Sequence, residues 1–587
     1  MYDETLAVEK AAAIVEGKML NSFLRRFALL ASLALLALLA PYTESPAGAQ
    51  QTAAAPAAAT KPILDYIANG WDTLTRSMDN CSTIVDPKLT GKSILYVPAD
   101  YVVPASVKNL EQKCGVEVKP LPKVIHQLGE IDANTISPQG LLYLDHPYVV
   151  PGGRFNEMYG WDSYFIIRGL LRSGRVELAR GMVENFYFEI EHYGAVLNAN
   201  RTYYLSRSQQ PYLSSMIMAV YQAEKAKGRD DRAWLEHGYG FAVRDHDMWL
   251  RPEMRTGDTG LSRYYDFGEG PAPESLKDET DHYRKVVEYF LKHPEQSAGR
   301  FVERQPRETT ELGPGTIYTL RLCNLPLTME RTRCEELKEF TLSANVYKGD
   351  RAMRESGFDI SFRFGPFGVD THHYHAVCLN SLLFKSEMDL AEMSEILGRK
   401  ADAEAWQQKA AARRMAVNKY LWNESKGEFF DYDFTKDVRS TYEYLTTYYP
   451  LFAGLASDAQ AKAAVANLKS FEQPGGAVMS PYKSGAQWDY PYAWAPTQMV
   501  LVDGLRRYGF KEDADRIAFK FAEMIAENYA KQGYIVEKYD AVTRSTDSAV
   551  TSGYSINVIG FGWTNAAYLE FMEDLPEEKR AELARIH

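Results

Sequence analysis

The sequence predicts an all-α fold in which helical hairpins close into a toroid whose long loops build a site at one end. Three observations support this: helical periodicity dominates the chain, several segments share a helix–turn–helix plan, and the connections between them are long. A solenoid would instead show a regular repeat length and short connections. From Lys61 onwards no Pro/Ser-rich linker or charged block divides the chain, so 61–587 is expected to form a single domain.

The amino terminus has the features of an export signal. Basic residues precede an apolar run from Phe27 to Ala40, and a small-residue site follows at 47–49. This run is shorter than the roughly 20 apolar residues that a membrane span requires. We therefore expect 1–49 to be a signal peptide, with Met19 as an alternative start and an uncleaved anchor as the alternative fate. Residues 50–60 are expected to be a disordered Ala/Pro-rich tether, and the protein to be periplasmic or secreted.

Three segments show the helical hairpin most clearly. In each, a glycine closes the first helix and charged residues open the second. The turns are predicted at Ser173–Gly174, Gly398 and Gly509. Short strand-like pieces, such as EFFDYDF around Phe429 to Phe434, are expected to be β-hairpin decorations. The extension from Lys61 to about Gln139 is expected to pack outside the toroid.

Composition and charge exclude several classes of function. Hydrophobic content of 45% and charged content of 25% are typical of a soluble globular protein. A net charge of −12 without a long basic run argues against nucleic acid as a partner. The sequence has no Walker-type loop, G-x-S-x-G elbow or HExxH motif. The run DTHHYH, Asp370 to His375, does not place three ligands around one ion, so we predict neither a metal nor a cofactor.

Five cysteines raise the question of disulfide bonds. The pairs nearest in sequence are Cys81 with Cys114 and Cys323 with Cys334, although spacing does not fix the connectivity. Cys378 lies in the apolar helical run VCLNSLLF and is expected to be a buried free thiol.

Three short strings combine aromatic residues, carboxylates and glycine. They are PGGRFNEMYGWDSYF, beginning at Pro151, ESGFDISFRFG, beginning at Glu355, and QWDYPYAWAP, beginning at Gln487. Each contains an aromatic–Asp pair: Trp161–Asp162, Phe358–Asp359 and Trp488–Asp489. Sugar sites need aromatic faces that stack on C–H groups and carboxylates that bind hydroxyls and transfer protons. Core aromatics with capping aspartates are the alternative, but three such pairs favour acids that converge on one cavity.

The first and third strings resemble the two signature segments of the trehalases of glycoside hydrolase family 37. NANRTYYLSRSQQP, ESGFDIS, VCLNSLLFKSE, VEKYD and GFGWTN also resemble that family and follow its order. The resemblance extends from about Asp65 to Glu570. It implies an (α/α)6 toroid that hydrolyses α,α-trehalose to two glucose molecules by an inverting route. We expect a monomer whose partner is a small sugar.

The resemblance also implies roles for individual residues. Asp359 matches the catalytic general acid, and Phe358 stands where the family usually has Trp, which keeps an apolar wall that favours a protonated carboxyl. A structural ion pair of Asp359 with Arg354 or Arg363 is the alternative. Substrate-binding roles are expected for Arg154, Trp161, Asp162, Asn198, Arg207, Ser208, Gln209, Glu274, Gly357, Trp488, Asp489 and Trp563.

One departure from the family concerns the catalytic base. The family has a glutamate in a Gly-rich loop just before GFGWTN, and an ungapped count places Tyr554 there, with no glutamate nearby. Asp547, earlier in the same loop, is the predicted base, with Asp489 and Asp162 as alternatives. Glu537 in VEKYD is shared with ordinary members, so we expect it to support the site and not to act in it.

A second departure leaves the substrate and the catalytic competence open. The family has Arg-Pro-Glu where this chain has Ala272-Pro273-Glu274, so one substrate-binding arginine is missing. The chain could be a glycosidase for another α-linked glucoside, or a sugar-binding homologue with impaired catalysis. Phosphorolysis is the least favoured alternative, because the loss of an arginine argues against an additional anion site.

Overall fold

A computed structural model shows the fold for residues 61–86, 91–274, 282–297, 301–304, 318–322 and 338–586. These residues belong to one compact unit that spans Pro56–His587. The predicted signal segment and tether lie outside the described residues. No helix in the described part of the chain combines the length and apolar character needed to cross a bilayer.

Twelve helices of the described residues form a double ring. In chain order they are α1 (Lys61–Leu74), α2 (Gly160–Arg172), α3 (Val176–Tyr193), α4 (Leu213–Ala226), α5 (Arg232–Met248), α6 (Val377–Ile396), α7 (Lys400–Tyr420), α8 (Tyr449–Ala453), α9 (Asp458–Ala466), α10 (Ala495–Arg507), α11 (Lys511–Gln532) and α12 (Gly562–Asp574). Each even-numbered helix packs against the next even-numbered one, and α12 packs against α2, which closes the inner ring. The all-α toroid is therefore confirmed.

The odd-numbered helices lie outside this ring. Helices α3, α5, α7 and α11 pack against the helix that precedes each of them, and α1 packs against α12. Burial follows the same division: α6 is buried on most sides, whereas α7 buries one stripe at Ala403, Trp406, Ala410, Arg413 and Val417. A single apolar stripe is typical of a helix with one face to solvent.

The predicted hairpin turns are confirmed. Helices α2 and α3 turn at Gly174, α6 and α7 at Gly398, and α10 and α11 at Gly509. These glycines have φ angles of 73°, 77° and 80°, in the left-handed region that favours glycine at the end of a helix.

Short strands decorate the loops, including the predicted region around Phe429 to Phe434. Antiparallel pairs join Thr75–Arg76 to Tyr148–Val149, Trp422–Asn423 to Glu428–Phe429, Glu472–Gln473 to Gly476–Ala477, and Tyr492–Trp494 to Lys538–Asp540. Two antiparallel sheets have three strands each. The strands of the first lie in the order Val438–Arg439, Tyr432–Asp433, Tyr374–His375. Those of the second lie in the order Val302–Arg304, Lys338–Leu342, Tyr318–Leu322.

The extension between α1 and α2 contains a small parallel sheet. Its strands lie in the order Glu117–Pro120, Ile94–Val97, Leu141–Leu142. The other α-helices of the described residues are Cys81–Ile84, Ala105–Lys108, Leu110–Cys114, His282–Lys292, Pro294–Ser297, Ala344–Glu355 and Glu577–Leu583. A disulfide joins Cys81 to Cys114, one of the two pairs nearest in sequence. Cys378 is a buried free thiol, as predicted. Cys323 and Cys334 lie outside the described residues.

Candidate active site

A cavity with a volume of about 150 Å³ opens at the end of the ring where the inner helices begin. Its wall includes the first turns of α2 and α12 and the loops that precede α4, α6 and α10. The structure brings most of the predicted site residues to this wall. They are Arg154, Trp161, Asp162, Asn198, Gln209, Glu274, Gly357, Asp359, Trp488, Tyr554 and Trp563.

Aromatic rings form the floor of the cavity. Trp161 packs against Phe358, Trp488 and Trp563, with ring centroids 5.5, 5.8 and 5.8 Å away. Behind them, Trp494 stacks on Trp488 at 3.8 Å. These contacts join the three strings singled out in the sequence, so the aromatic members of the three pairs converge in space.

The backbone before Asp359 is shaped by its contact with this floor. Helix Ala344–Glu355 ends just before Gly357, which has a φ of 75°. A Cβ at Gly357 would lie 2.8 Å from Cε2 of Trp161, so glycine permits the close approach of the loop to the ring. Phe358 is then fixed between Trp161 and Trp488, and Asp359 is directed to the cavity.

Asp359 faces the cavity and not a structural ion pair with Arg363. Its side chain is 29% exposed, and Nη1 of Arg354 lies 3.9 Å from its Oδ2. Arg363 instead binds the buried Asp431, with Nε and Nη2 at 2.7 and 2.5 Å from the two carboxylate oxygens. This bidentate pair anchors the loop that follows Asp359.

Asp489 anchors the same loop and does not line the cavity. Its carboxylate accepts hydrogen bonds from Oγ of Ser361 (3.0 Å), the backbone N of Phe362 (2.9 Å) and Oγ of Ser484 (2.5 Å). Burial raises the pKa of Asp489 to about 6. The structure therefore places this predicted substrate-binding residue behind the loop that carries Asp359, where it positions that loop.

Gln487 links the loop that carries Asp359 to the loop that carries Tyr554. Its Nε2 donates to the backbone O of Asp359 at 2.5 Å, and its Oε1 accepts from the backbone N of Tyr554 at 3.3 Å. The side chain is fully buried. One amide thus sets the relative position of two loops that meet at the cavity, a role that the sequence analysis did not identify.

Asp162 is a buried carboxyl in the cavity wall. Burial raises its pKa well above the usual range, and the nearby Glu537 and Asp359 raise it further. The protonated form that this environment favours is a hydrogen-bond donor as well as an acceptor. This suits contact with a sugar hydroxyl better than removal of a proton from water.

Glu537 also lines the cavity, although the sequence analysis gave it only a supporting role. It is 2% exposed, and its Oε1 accepts a hydrogen bond from the Tyr554 hydroxyl at 2.5 Å. Nζ of the buried Lys538 lies 3.5 Å from its Oε2 and 4.1 Å from the Tyr554 ring centroid. Glu537 directly precedes strand Lys538–Asp540. That strand pairs with Tyr492–Trp494 inside the second signature segment, and this is the signal that links Glu537 to the site.

Asp547, the predicted base, is exposed and does not line the cavity. Its backbone N donates to Oγ of Ser545 at 3.3 Å, within the same turn. The structure therefore does not bring Asp547 to Asp359, and the carboxylate from this part of the chain that reaches the cavity is Glu537.

The predicted cationic residues take two different positions. Arg154 is exposed at the cavity wall, with its guanidinium 4.6 Å from the Phe155 ring centroid. Arg207 is buried behind the wall, where it forms an ion pair with Glu274 and lies 4.8 Å from the Tyr204 ring centroid. Arg207 thus orients the cavity-lining Glu274.

The polar residues of NANRTYYLSRSQQP form a connected group. Gln209 accepts a hydrogen bond from the backbone N of Trp161 through Oε1 at 2.9 Å. Asn198 donates through Nδ2 to the backbone O of Ser208 at 3.5 Å. Ser208 itself lies behind the wall, and its backbone N donates to Glu355, whose pKa burial raises to about 8.

The histidines of DTHHYH make structural contacts. His372 bonds to Oδ1 of Asn345 at 2.8 Å, and His375 bonds to Oγ1 of Thr259 at 2.9 Å. Within the described ranges, no group of three or more His, Cys, Asp or Glu residues is arranged to hold a metal ion.

Comparison with known proteins connects this cavity to one family. The trehalase family model matches residues 105–298 and 325–576. The chain is 35% identical over 572 residues to the cytosolic neutral trehalase of Beauveria bassiana, covering 85% of this chain and 71% of that protein. It is 34% identical over 586 residues to the cytosolic neutral trehalase of Pyricularia oryzae, covering 88% and 74%. The solved structure of neutral trehalase Nth1 from Saccharomyces cerevisiae matches with a TM-score of 0.71 and 29% identity, covering 90% of this chain and 96% of that one.

These relatives contradict the prediction of export. Those from Beauveria and Pyricularia are named as cytosolic, so the predicted signal peptide and periplasmic or secreted location are wrong. The prediction rested on the composition of one short apolar run, whereas the similarity to the cytosolic enzymes extends over most of the chain.

The family model, the relatives and the fold agree with the geometry of the cavity. The implied (α/α)6 architecture is present, and aromatic rings and carboxyls meet at one end of it. This chain is a member of the trehalase family.

Proposed function

We propose that this protein hydrolyses α,α-trehalose to two glucose molecules by an inverting route, with Asp359 as the general acid. The observation that carries this assignment is the position of Asp359 in the cavity wall, next to the aromatic floor. Sugar C–H groups stack on such rings, and the acid next to them is placed to protonate the bridging oxygen. Membership of the trehalase family supports the choice of substrate.

The remaining residues of the wall supply sugar contacts. Asp162, Asn198 and Gln209 offer neutral donors and acceptors, whereas Glu274 and the exposed Arg154 offer charged ones. The arginine that the family has at the position of Ala272 is absent here, and Arg354 lines the cavity 3.9 Å from Glu274. We propose that Arg354 provides part of the missing positive charge.

The chemical step needs a proton on the leaving oxygen. Asp359 gives its proton to the bridging oxygen as the C1–O bond breaks, and the electron pair of that bond stays with the leaving glucose. Water attacks C1 from the opposite face and gives one of its protons to the Glu537 carboxylate of the cavity wall, and this attack inverts the configuration at that carbon. The first products are therefore one α-glucose and one β-glucose.

Proton NMR of the fresh products tests this proposal. Wild-type protein with α,α-trehalose is expected to release α- and β-glucose in equal amounts before mutarotation. Asp359→Asn is expected to bind trehalose in calorimetry but to lose roughly 10²–10⁴-fold in kcat. Asp547→Asn, which removes an exposed carboxylate outside the cavity wall, is the matched control for folding and should keep the wild-type rate.

Three results would contradict the proposal. Two α-glucose products would exclude inversion. Glucose release from maltose or kojibiose but not from trehalose would assign another α-linked glucoside. Trehalose binding without turnover by the wild type, unchanged in Asp359→Asn, would favour a sugar-binding protein.

A further inference from the structure

We propose that Asp86, a residue of the extension that precedes the ring, acts through Arg201 to position a sugar-binding carboxylate of the cavity wall, Glu157. The proposal rests on the hydrolysis proposed above and adds a further part to the site at which the sugar binds. Glu157 lines the cavity, whereas Asp86 lies behind its wall and is a positioning residue. The extension then completes the site and does not only cover the outside of the ring.

One guanidinium nitrogen of Arg201 joins the two carboxylates. Its Nη2 donates to Oδ2 of Asp86 at 2.5 Å and also forms an ion pair with Oε1 of Glu157. The three side chains are buried, with exposed fractions of 4% for Arg201, 7% for Asp86 and 3% for Glu157. A buried charge that loses one partner is left uncompensated. The position of Arg201, and with it that of Glu157, therefore depends on Asp86.

The extension fixes Asp86 from two sides. Helix Cys81–Ile84 ends shortly before it and is tied down by the disulfide Cys81–Cys114. The backbone N of Asp86 donates to Oγ of Ser93 at 2.9 Å, directly before strand Ile94–Val97 of the parallel sheet. The carboxylate that holds Arg201 is thus directed by elements that lie before the first helix of the inner ring.

The contacts of Glu157 leave it able to bind a sugar hydroxyl. Its Oε2 accepts from the backbone N of Asn156 at 3.0 Å, and its Oε1 is paired with Arg201. Each carboxylate oxygen accepts more than one hydrogen bond, so both oxygens keep acceptor capacity. Hydrogen bonds to an ionised carboxylate are about twice as strong as those between neutral groups. Glu157 therefore offers a strong acceptor to a sugar in the cavity.

This role separates sugar binding from the chemical step. Asp86, Arg201 and Glu157 do not belong to the proton transfers described above. Loss of an interaction made equally with bound substrate and with the transition state raises KM and leaves kcat unchanged. We therefore expect substitutions at Asp86 and Glu157 to raise KM and to keep kcat within roughly threefold of the wild type.

Calorimetry on the slow Asp359→Asn protein measures binding without turnover, with α,α-trehalose and D-glucose as the two ligands. Adding Glu157→Gln keeps the size of the side chain and removes its charge, so Kd for both sugars should rise roughly tenfold to a hundredfold. Adding Asp86→Asn should raise both Kd values roughly tenfold, because it acts only through Arg201. Asp79→Asn, which removes an exposed carboxylate of the same extension, is the matched control and should leave Kd unchanged.

A double-mutant cycle distinguishes positioning from a general effect on structure. If Asp86 acts through Glu157, Asp86→Asn should add little to the Kd of a protein that already carries Glu157→Gln. Two independent structural effects would instead multiply. Multiplication of the two effects would therefore overturn the proposal, as would parent affinity for both sugars in either folded single variant.

Ser93→Ala provides a milder change at Asp86. It removes the acceptor of the Asp86 backbone N, so Kd should rise severalfold in the same direction. If Asp86→Asn does not fold, unchanged affinity in Ser93→Ala would overturn the positioning role. An Asp359→Asn protein that binds D-glucose but not trehalose would count against the proposed substrate, and the glucose measurements would still decide the role of Asp86.

Discussion

Gly357 connects the stability of the fold to the position of the acid, and replacing it by alanine should affect both. Its φ of 75° costs an L-residue about 1–2 kcal/mol. The new Cβ would lie 2.8 and 2.9 Å from Cε2 and Nε1 of Trp161, well inside the roughly 3.5–4.0 Å of normal contact. Relief of that overlap adds about 1–3 kcal/mol. We expect Gly357→Ala to lower the free energy of unfolding by roughly 2–5 kcal/mol.

Gly398→Ala is the matched control for this substitution. Gly398 has nearly the same φ, 77°, but a Cβ there would meet no atom within 4 Å. Its substitution should therefore cost only the backbone term of about 1–2 kcal/mol. The difference between the two variants isolates the contact with Trp161.

Activity should separate the two variants more sharply than stability does. Displacement of Trp161 moves Phe358 and, with it, Asp359, and a shift near 1 Å at reacting groups costs on the order of 10²-fold in rate. Gly398→Ala should keep the wild-type kcat, because its turn lies between α6 and α7. Urea unfolding and initial rates on trehalose measure the two effects. Equal destabilisation by both substitutions, or full activity of Gly357→Ala, would refute the reasoning.

Two further predictions concern buried polar residues behind the site. Gln487→Leu removes the hydrogen bonds to the backbone of Asp359 and Tyr554, so kcat should fall roughly tenfold to a hundredfold with little change in KM; an unchanged kcat in initial-rate assays would contradict this. The pKa of Asp489 is raised to about 6 from an ordinary 3.8, so the folded protein favours the protonated carboxyl. The stability that this contributes is fully present below about pH 4 and is lost as the pH rises through 6. Relative to Asp489→Asn, the wild type should therefore lose roughly 2–3 kcal/mol of unfolding free energy between pH 4 and 7 in urea titrations. Equal pH dependence of the two proteins would show that Asp489 does not titrate in this range.

The sequence predicted the ring of helices and the aromatic residues of the cavity floor because both follow from local sequence patterns. Helical periodicity and glycine turns specify hairpins within about forty residues, and three of these turns lie where expected. The aromatic–Asp pairs are also local, and their aromatic members meet in space. The export prediction failed because one short apolar run does not specify a cellular location.

The assignment of roles among the carboxyls required the tertiary structure. Asp162, Asp489 and Asp547 each followed from a motif or a count, yet one is buried in the wall, one lies behind it and one is exposed. Glu537 reaches the cavity because strand Lys538–Asp540 pairs with Tyr492–Trp494 and because Tyr554, from a later loop, donates to its carboxylate. The sequence by itself determined which carboxyls and aromatic residues are available to the site. The direction of each side chain and its protonation depend on contacts between residues far apart in sequence, and only the folded chain makes those contacts.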